Sequence, residues 1–289
     1  MKTFCTLSDK KYILQGLALY HSLMKANPDF ILYYLCLDVA TFDIITKLNY
    51  DNLKPITLGK LEYQNKELRE YKANNDYQHY CWCLGSYFTW YLMNKYNPDN
   101  IMYIDSDIYF YQDYNIIYEE IADKSIGIIT HRFSHTNYRK TGKYNVGIIY
   151  FRNNEIGNKC LEWWKSVVIN PDNEYAEDHA CCGDQHYLMV FEELFGIDNI
   201  CIIGEDEKSN VGHAASWCSK NMHYDNGYVI WQGKKQLLIF NHFSHFQPDF
   251  DNGTYKTHYE NEWRPENTWA KKYYDKYFEE IKKVKNLIS

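Results

Sequence analysis

Residues 100–113 read NIMYIDSDIYFYQD. An apolar run reaches Asp105, a single serine intervenes, and a second carboxylate, Asp107, precedes another aromatic stretch. In a continuous strand residues i and i+2 share a face, so the two anions would stand side by side and repel. If the strand instead ends at Asp105 and the chain turns, both carboxylates lean toward one point outside the sheet edge, where a hard divalent cation relieves the repulsion. The competing reading is a strand end closed by an Asp-Ser-Asp turn with no ligand, since both residues are ordinary turn formers.

The flanking sequence decides what kind of sheet this strand belongs to. TFCTL (Thr3 to Leu7) reads as a short buried strand and the following DKKYILQGLALYHSLMKAN as a helix. FILYYLCLD (Phe30 to Asp38) and ATFDIITKL repeat the pair, KPITL continues it, and Tyr77 to Tyr96 reads as a helix feeding IMYID. Strands alternating with helices imply an α/β fold with a mostly parallel central sheet covered by helices on both faces. The Asp-x-Asp pair then sits at a strand's C-terminal end, the edge at which open α/β sheets bind ligands. SIGIITHR and NVGIIYFRN read as further strands, EIGNKCLEWWKSVVI and DQHYLMVFEEL as helices, Gly204 to Gln236 as a loop excursion, and LLIFNHFSHF as a late strand.

Composition narrows the function classes. A net charge of -7 leaves no lysine and arginine excess to neutralise a phosphate backbone, which argues against nucleic acid as a partner. Nine cysteines with no disulfide-like framework fit a reduced cytosol. The N-terminus lacks the apolar core and cleavage site of a signal peptide, and no apolar run reaches the roughly 20 residues that span a bilayer, so a cytoplasmic protein is expected. No repeat or Pro/Gly/Ser-rich linker divides the chain. One domain over residues 1–265 is expected, followed by a basic amphipathic helix over 266–289.

In that tail Tyr274, Tyr277, Phe278, Ile281, Val284 and Ile288 recur at helical spacing among six lysines. Such a helix either packs on the domain or makes peripheral contact with the inner face of the cytoplasmic membrane.

Four short pieces converge at the C-terminal sheet edge in this reading: Asp9 with Tyr12, Asp105 with Asp107, Asn145 to Gly147, and Gly183 to Gln185. The segment FNHFSH adds His242 or His245, since imidazole joins carboxylates around Mn²⁺-like ions. A histidine in an apolar strand has an equally ordinary core reading.

Taken together these pieces resemble a known group. IMYIDSDIYFY is similar to the DxD segment of nucleotide-sugar-dependent glycosyltransferases of the GT-A (Rossmann-like) fold. FCTLSDKKYILQGLALYHSLMK resembles the opening strand and helix of the bacterial nucleotide-diphospho-sugar transferases related to the family-8 retaining enzymes. YNVGIIYFRNN is similar to their Asn-x-Gly strand, GDQHYL to their Asp-Gln motif and FNHFSH to their late His segment. The resemblance spans residues 3–246, with 204–236 poorly matched.

The resemblance implies a hexosyltransferase using Mn²⁺ or Mg²⁺ held by Asp105, Asp107 and His242, with His245 as the competing ligand because Ser244-His245 stands where the pattern has a glycine. It implies donor contacts from Thr6, Asp9, Tyr12, Asp105, Ser106, Asn145 and Gly147, and catalytic roles for Asp184 and Gln185 beneath the transferred sugar. The partners implied are a nucleotide-sugar donor, UDP-linked, and a glycan or glycolipid acceptor in surface polysaccharide biosynthesis, with retention of configuration. Glu177 and Asp178 are the carboxylates that an inverting enzyme would use instead. Trp163, Trp164, Trp217 and Trp231 either stack on acceptor sugars or pack. The alternatives are a non-catalytic nucleotide-sugar-binding scaffold and an Asp-x-Asp phosphatase.

Overall fold

Phe4 and Cys5 of the first strand are both fully buried, one in each of two hydrophobic clusters. Adjacent strand residues point to opposite faces, so a strand apolar at consecutive positions must be covered on both sides. The computed structural model, which describes residues 1–133, 142–170, 183–218, 222–257 and 270–289, builds that sandwich. Glu177 and Asp178 lie outside the described residues.

The large sheet comprises β1 (Lys2–Ser8), β2 (Phe30–Cys36), β3 (Leu53–Thr57), β4 (Asn100–Ile104), β6 (Ile126–Thr130), β7 (Tyr144–Arg152) and β8 (Ile200–Ile203), while β5 (Ile108–Phe110) belongs elsewhere. Its order is β3-β2-β1-β4-β7-β6-β8, and every pairing is parallel except those of β7 with β4 and β6. The expected α/β class with a mostly parallel sheet is therefore what forms. Helices α1 (Ile13–Ala26), α2 (Val39–Leu48), α3 (Leu58–Gln64), α4 (Lys66–Asn74), α5 (Tyr77–Tyr96), α6 (Asn115–Ile121) and α7 (Glu155–Ile169) fill the connections. Side chains α1 and α6 bury join one cluster, and those α5 and α7 bury join the other. Local signals set the starts: Asp38, Asp76 and Asn154 accept from the backbone N–H groups of Thr41, His79 and Gly157 at 2.7, 2.9 and 2.9 Å.

Two readings of the sequence need correction. Residues 204–236 are not a loop excursion: β9 (Val211–Ala215), β10 (Met222–Asp225) and β11 (Tyr228–Trp231) join β12 (Lys234–His242) and β5 in a second sheet. Two-residue turns at Asn226-Gly227 (φ 45° and 89°) and Gln232-Gly233 (φ 48° and 80°) connect β10, β11 and β12. Asn-Gly between short apolar stretches is the local signal for such a hairpin, because both central residues need positive φ. The stretch after Asp184 is a 3₁₀ turn over His186–Val190 and a short α-helix over Phe191–Phe195, which leaves Asp184 and Gln185 ahead of any helix. A small hairpin, β13 (Gln247–Asp249) with β14 (Thr254–Lys256), follows β12.

The C-terminal helix (Lys271–Ile288) is amphipathic as expected, but its apolar face is covered. Tyr274, Tyr277, Phe278, Ile281 and Val284 are buried in the cluster shared with α1. Tyr277 stacks on Phe243 at 3.9 Å with the rings 6° apart, and Glu280 pairs with Lys25 of α1 at 2.7 Å. With most of that face packed on the domain, the packing alternative read from the sequence is the one that these contacts support. No helix among the described residues is long and apolar enough to cross a membrane. Tyr277→Ala should cost about 3 to 5 kcal/mol, the range for deleting a large core aromatic, measured by urea unfolding; a loss below about 1 kcal/mol would mean that the helix does not buttress the core.

Candidate metal centre

Strand β4 stops at Ile104, and the chain turns with Ile108 N donating to Asp105 O at 3.2 Å. The turn throws the next strand, β5, out of the large sheet and against β12, where Ile108 stands opposite His242. Phe243 N donates to Asp107 O at 2.9 Å and holds that register at its end. His242 thereby meets both carboxylates: its Nε2 lies 3.0 Å from Asp107 Oδ1 and 3.7 Å from Asp105 Oδ2. Ligand atoms from the three residues all fall within 4.8 Å of one another. Two carboxylates and one imidazole suit a hard-to-borderline divalent ion of the Mg²⁺ or Mn²⁺ type.

The charges of the site reflect the crowding. Burial and then the Asp107 charge push the Asp105 carboxyl up, partly offset by His242 and by the Tyr103 hydroxyl, which donates to Asp105 Oδ1 at 2.8 Å. Burial works the same way on Asp107, but the His242 imidazole attracts and hydrogen-bonds it and holds it below the usual range. Burial alone would lower His242; Asp107 and Asp105 raise it instead. Burial, followed by the nearby Asp105 charge, lifts Asp184 well above the ordinary carboxylate range. Three carboxyls converge where no lysine or arginine stands among the described lining residues, a charge distribution that would favour a bound cation.

Strand β7, paired with β4, supplies the adjoining wall. Asn145 Oδ1 accepts from Gly147 N at 2.9 Å, while Asn145 Nδ2 donates to Gln185 Oε1 at 2.8 Å. Val146 N adds a 3.3 Å bond to the same Gln185 oxygen, so the amide is clamped from two sides. Asp184 beside it is anchored through its carbonyl, which accepts from the indole of the fully buried Trp164 at 3.0 Å. Gly147 serves by what it lacks: a Cβ there would lie 2.6 Å from Asn145 Oδ1 and 2.8 Å from His242 Nδ1.

These residues face one cleft of about 590 Å³. The structure brings Asp9, Tyr12, Asp105, Ser106, Asp107, Asn145, Asp184, Gln185, His242 and His245 into its lining. Asp9 and Tyr12 occupy the turn between β1 and α1, with Asp9 Oδ1 accepting from Lys11 N at 2.9 Å. Thr6 is not among the lining residues; it lies within β1, fully buried, while Ser8 and Asp9 reach the cleft. Gly147 also lies behind the lining.

Sequence reasoning missed His131, Phe133 and Trp82, and left Trp217 open. His131 and Phe133 stack at 4.5 Å, and Trp217 donates its indole N–H to His131 O at 2.6 Å while its ring meets His242 edge-on at 5.2 Å. His131 and Phe133 follow the end of β6 at the same sheet edge as Asp105, which is the signal that would have found them. Burial drives the His131 imidazole down to about 3, so it is a neutral member of the wall. Trp164 and Trp231 are core residues; Trp163 packs edge-on against Phe191 and Phe195.

Fold and site define an α/β protein with two carboxylates and an imidazole, placed so that they could hold a divalent ion, at the C-terminal edge of its sheet. No family model matches the chain. The uncharacterized protein YfnF of Bacillus subtilis (strain 168) is 31% identical over 255 residues, covering 84% of this chain and 81% of YfnF. YfnD of the same strain is 26% identical over 255 residues, covering 84% and 77%. The chain belongs to the same family as YfnF. Among solved structures, mouse xyloside xylosyltransferase 1 aligns at 14% identity with a TM-score of 0.48 over 70% of this chain and 84% of that one. The glycosyltransferase GlyE of Streptococcus pneumoniae TIGR4 aligns at 18% identity and 0.45 over 71% of this chain, which spans only 45% of GlyE.

Gly147→Ala tests the geometry directly. The added methyl must displace the His242 ring or the Asn145 amide, so Mn²⁺ affinity should fall about 10-fold or more, roughly 1.4 kcal/mol. Calorimetric titration of Mn²⁺ into wild type and variant reads it, with circular dichroism checking that the fold is retained.

Proposed function

We propose that the chain is a metal-dependent glycosyltransferase that moves a hexose from a UDP-linked donor to a glycan or glycolipid acceptor, with retention, in the building of a surface polysaccharide. The observation that carries this reading is the meeting of Asp105, Asp107 and His242 with Asn145, Asp184 and Gln185 in one cleft. A cation site alone fits many proteins; one set beside a clamped amide and a buried acid, in the order of motifs read from the sequence, fits glycosyl transfer.

In this proposal residues 1–265 act as one domain, with the C-terminal helix as its buttress. Asp105, Asp107 and His242 hold Mn²⁺ or Mg²⁺, which when bound neutralises the charge of the departing nucleoside diphosphate. Asp9 and Tyr12, in the turn after β1, receive the base by hydrogen bond and stacking, and Ser106 contributes to the donor site. Asp184 orients sugar hydroxyls. The Gln185 amide, held by Asn145 and Val146, presents a preorganised dipole beside the anomeric carbon. The bond from that carbon to the diphosphate oxygen breaks, the acceptor oxygen bonds to the same face, and the acceptor's proton passes to the leaving diphosphate.

Asp107→Ala should abolish Mn²⁺-dependent binding of the nucleoside diphosphate in calorimetry while the protein stays folded; unchanged affinity removes the site assignment. Gln185→Ala should lower turnover about 10-fold to 100-fold, a loss of roughly 1.4 to 2.8 kcal/mol in the transition state, with donor affinity little changed. Proton NMR of the first-formed product from an α-linked donor should show an α linkage. A β product would reassign the chemistry to an inverting base such as Glu177 or Asp178.

A further inference from the structure

Immediately after the metal-site histidine the chain makes a tight turn, with Phe246 N donating to Phe243 O at 3.0 Å. Its third residue, His245, has φ 57°. Turns that need positive φ at this position take glycine or asparagine, because a Cβ is crowded there. An imidazole in that place is locally disfavoured, and such residues persist where the surrounding structure over-determines them, most often at ligand sites.

The surroundings here do over-determine the turn. Phe243 and Phe246 flank it and are both buried, with Phe243 stacked on Tyr277 and Phe246 set against the same ring at 5.0 Å, edge-on. Two buried anchors three residues apart leave Ser244 and His245 on the cleft side, and both line the cleft beside Asp107 and His242. Asp105, Asp107 and His242 could supply three ligand atoms to a cation without His245.

Among its described lining residues the cleft carries four aspartates and no lysine or arginine, so phosphate oxygens there would be met by hydroxyl, amide or imidazole donors rather than by a fixed positive charge. A ring N–H is a hydrogen-bond donor to such an oxygen in either charge state of the imidazole. We propose that His245 is a phosphate-binding residue of the donor site, held at the cleft rim in a strained turn so that its imidazole contacts the diphosphate of the nucleotide sugar. This rests on the glycosyltransferase reading and deepens it.

The test uses the full chain with Mn²⁺ and three probes, UDP, UMP and uridine, against wild type, His245→Gly and His245→Asn. Glycine and asparagine both accept positive φ, so neither variant should unfold, and thermal melting should show His245→Gly at least as stable as wild type. The Kd for UDP should rise about 10-fold in both variants, while uridine binding and Mn²⁺ binding in the absence of nucleotide, followed by electron paramagnetic resonance, stay unchanged. Equal UDP affinity in wild type and His245→Gly overturns the phosphate role and leaves the glycosyltransferase reading standing. Loss of Mn²⁺ binding without nucleotide also overturns it, by making His245 a metal ligand. Failure of the wild type to bind UDP, GDP, CDP or ADP with Mn²⁺ overturns the glycosyltransferase reading and this inference together.

Discussion

Two like charges held one residue apart at the end of a buried strand constrain everything around them. Asp105 and Asp107 cannot both sit in an apolar sheet without relief, and the chain answers with a turn at Ile104, a strand that leaves for a second sheet, and a histidine brought against both carboxylates. Burying an unpaired carboxylate costs several kcal/mol, so the pairing of β5 with β12 does electrostatic as well as hydrogen-bonding service. The absence of a side chain at Gly147 belongs to the same constraint, because the space beside His242 Nδ1 must stay open.

A second layer makes that arrangement rigid. Tyr277 from the C-terminal helix stacks on Phe243, the residue that follows His242, and Phe243 N in turn bonds Asp107 O. A helix at the end of the chain therefore bears on the geometry of a turn near residue 106 through one aromatic stack and one backbone bond. Stacked and edge-on aromatic pairs suit this use, since they add geometric preference to the area they bury. The many tyrosines of the chain find their use here, as large surfaces around the site as much as hydroxyl-bearing ones.

The cleft combines charged and neutral groups. Aspartates gather around His242, and neutral groups adjoin them: the Asn145–Gln185 amide pair and the His131, Phe133 and Trp217 aromatic wall. Neutral donors and ring faces recognise hydroxyl-rich ligands without adding competing charge. That combination is the physical basis of the proposal of sugar transfer.

The sequence by itself determined the α/β class, the helix over Tyr77–Tyr96 and the position of the Asp pair at a strand's C-terminal end, because these follow from local periodicity, caps and an out-of-place pair of charges. The strands inside 204–236 were legible in the Asn226-Gly227 turn, yet their pairing was not, since it depends on partners outside the segment. The tertiary structure alone decided that His242 meets both carboxylates, because that depends on the register of β12 against β5, a contact between segments some 130 residues apart. It also decided that Thr6 is covered while His131, Phe133 and Trp217 face the cleft, and that the apolar stripe of the last helix is spent on the core. Each of these is set by which surfaces meet, and no local pattern of residues carries that information.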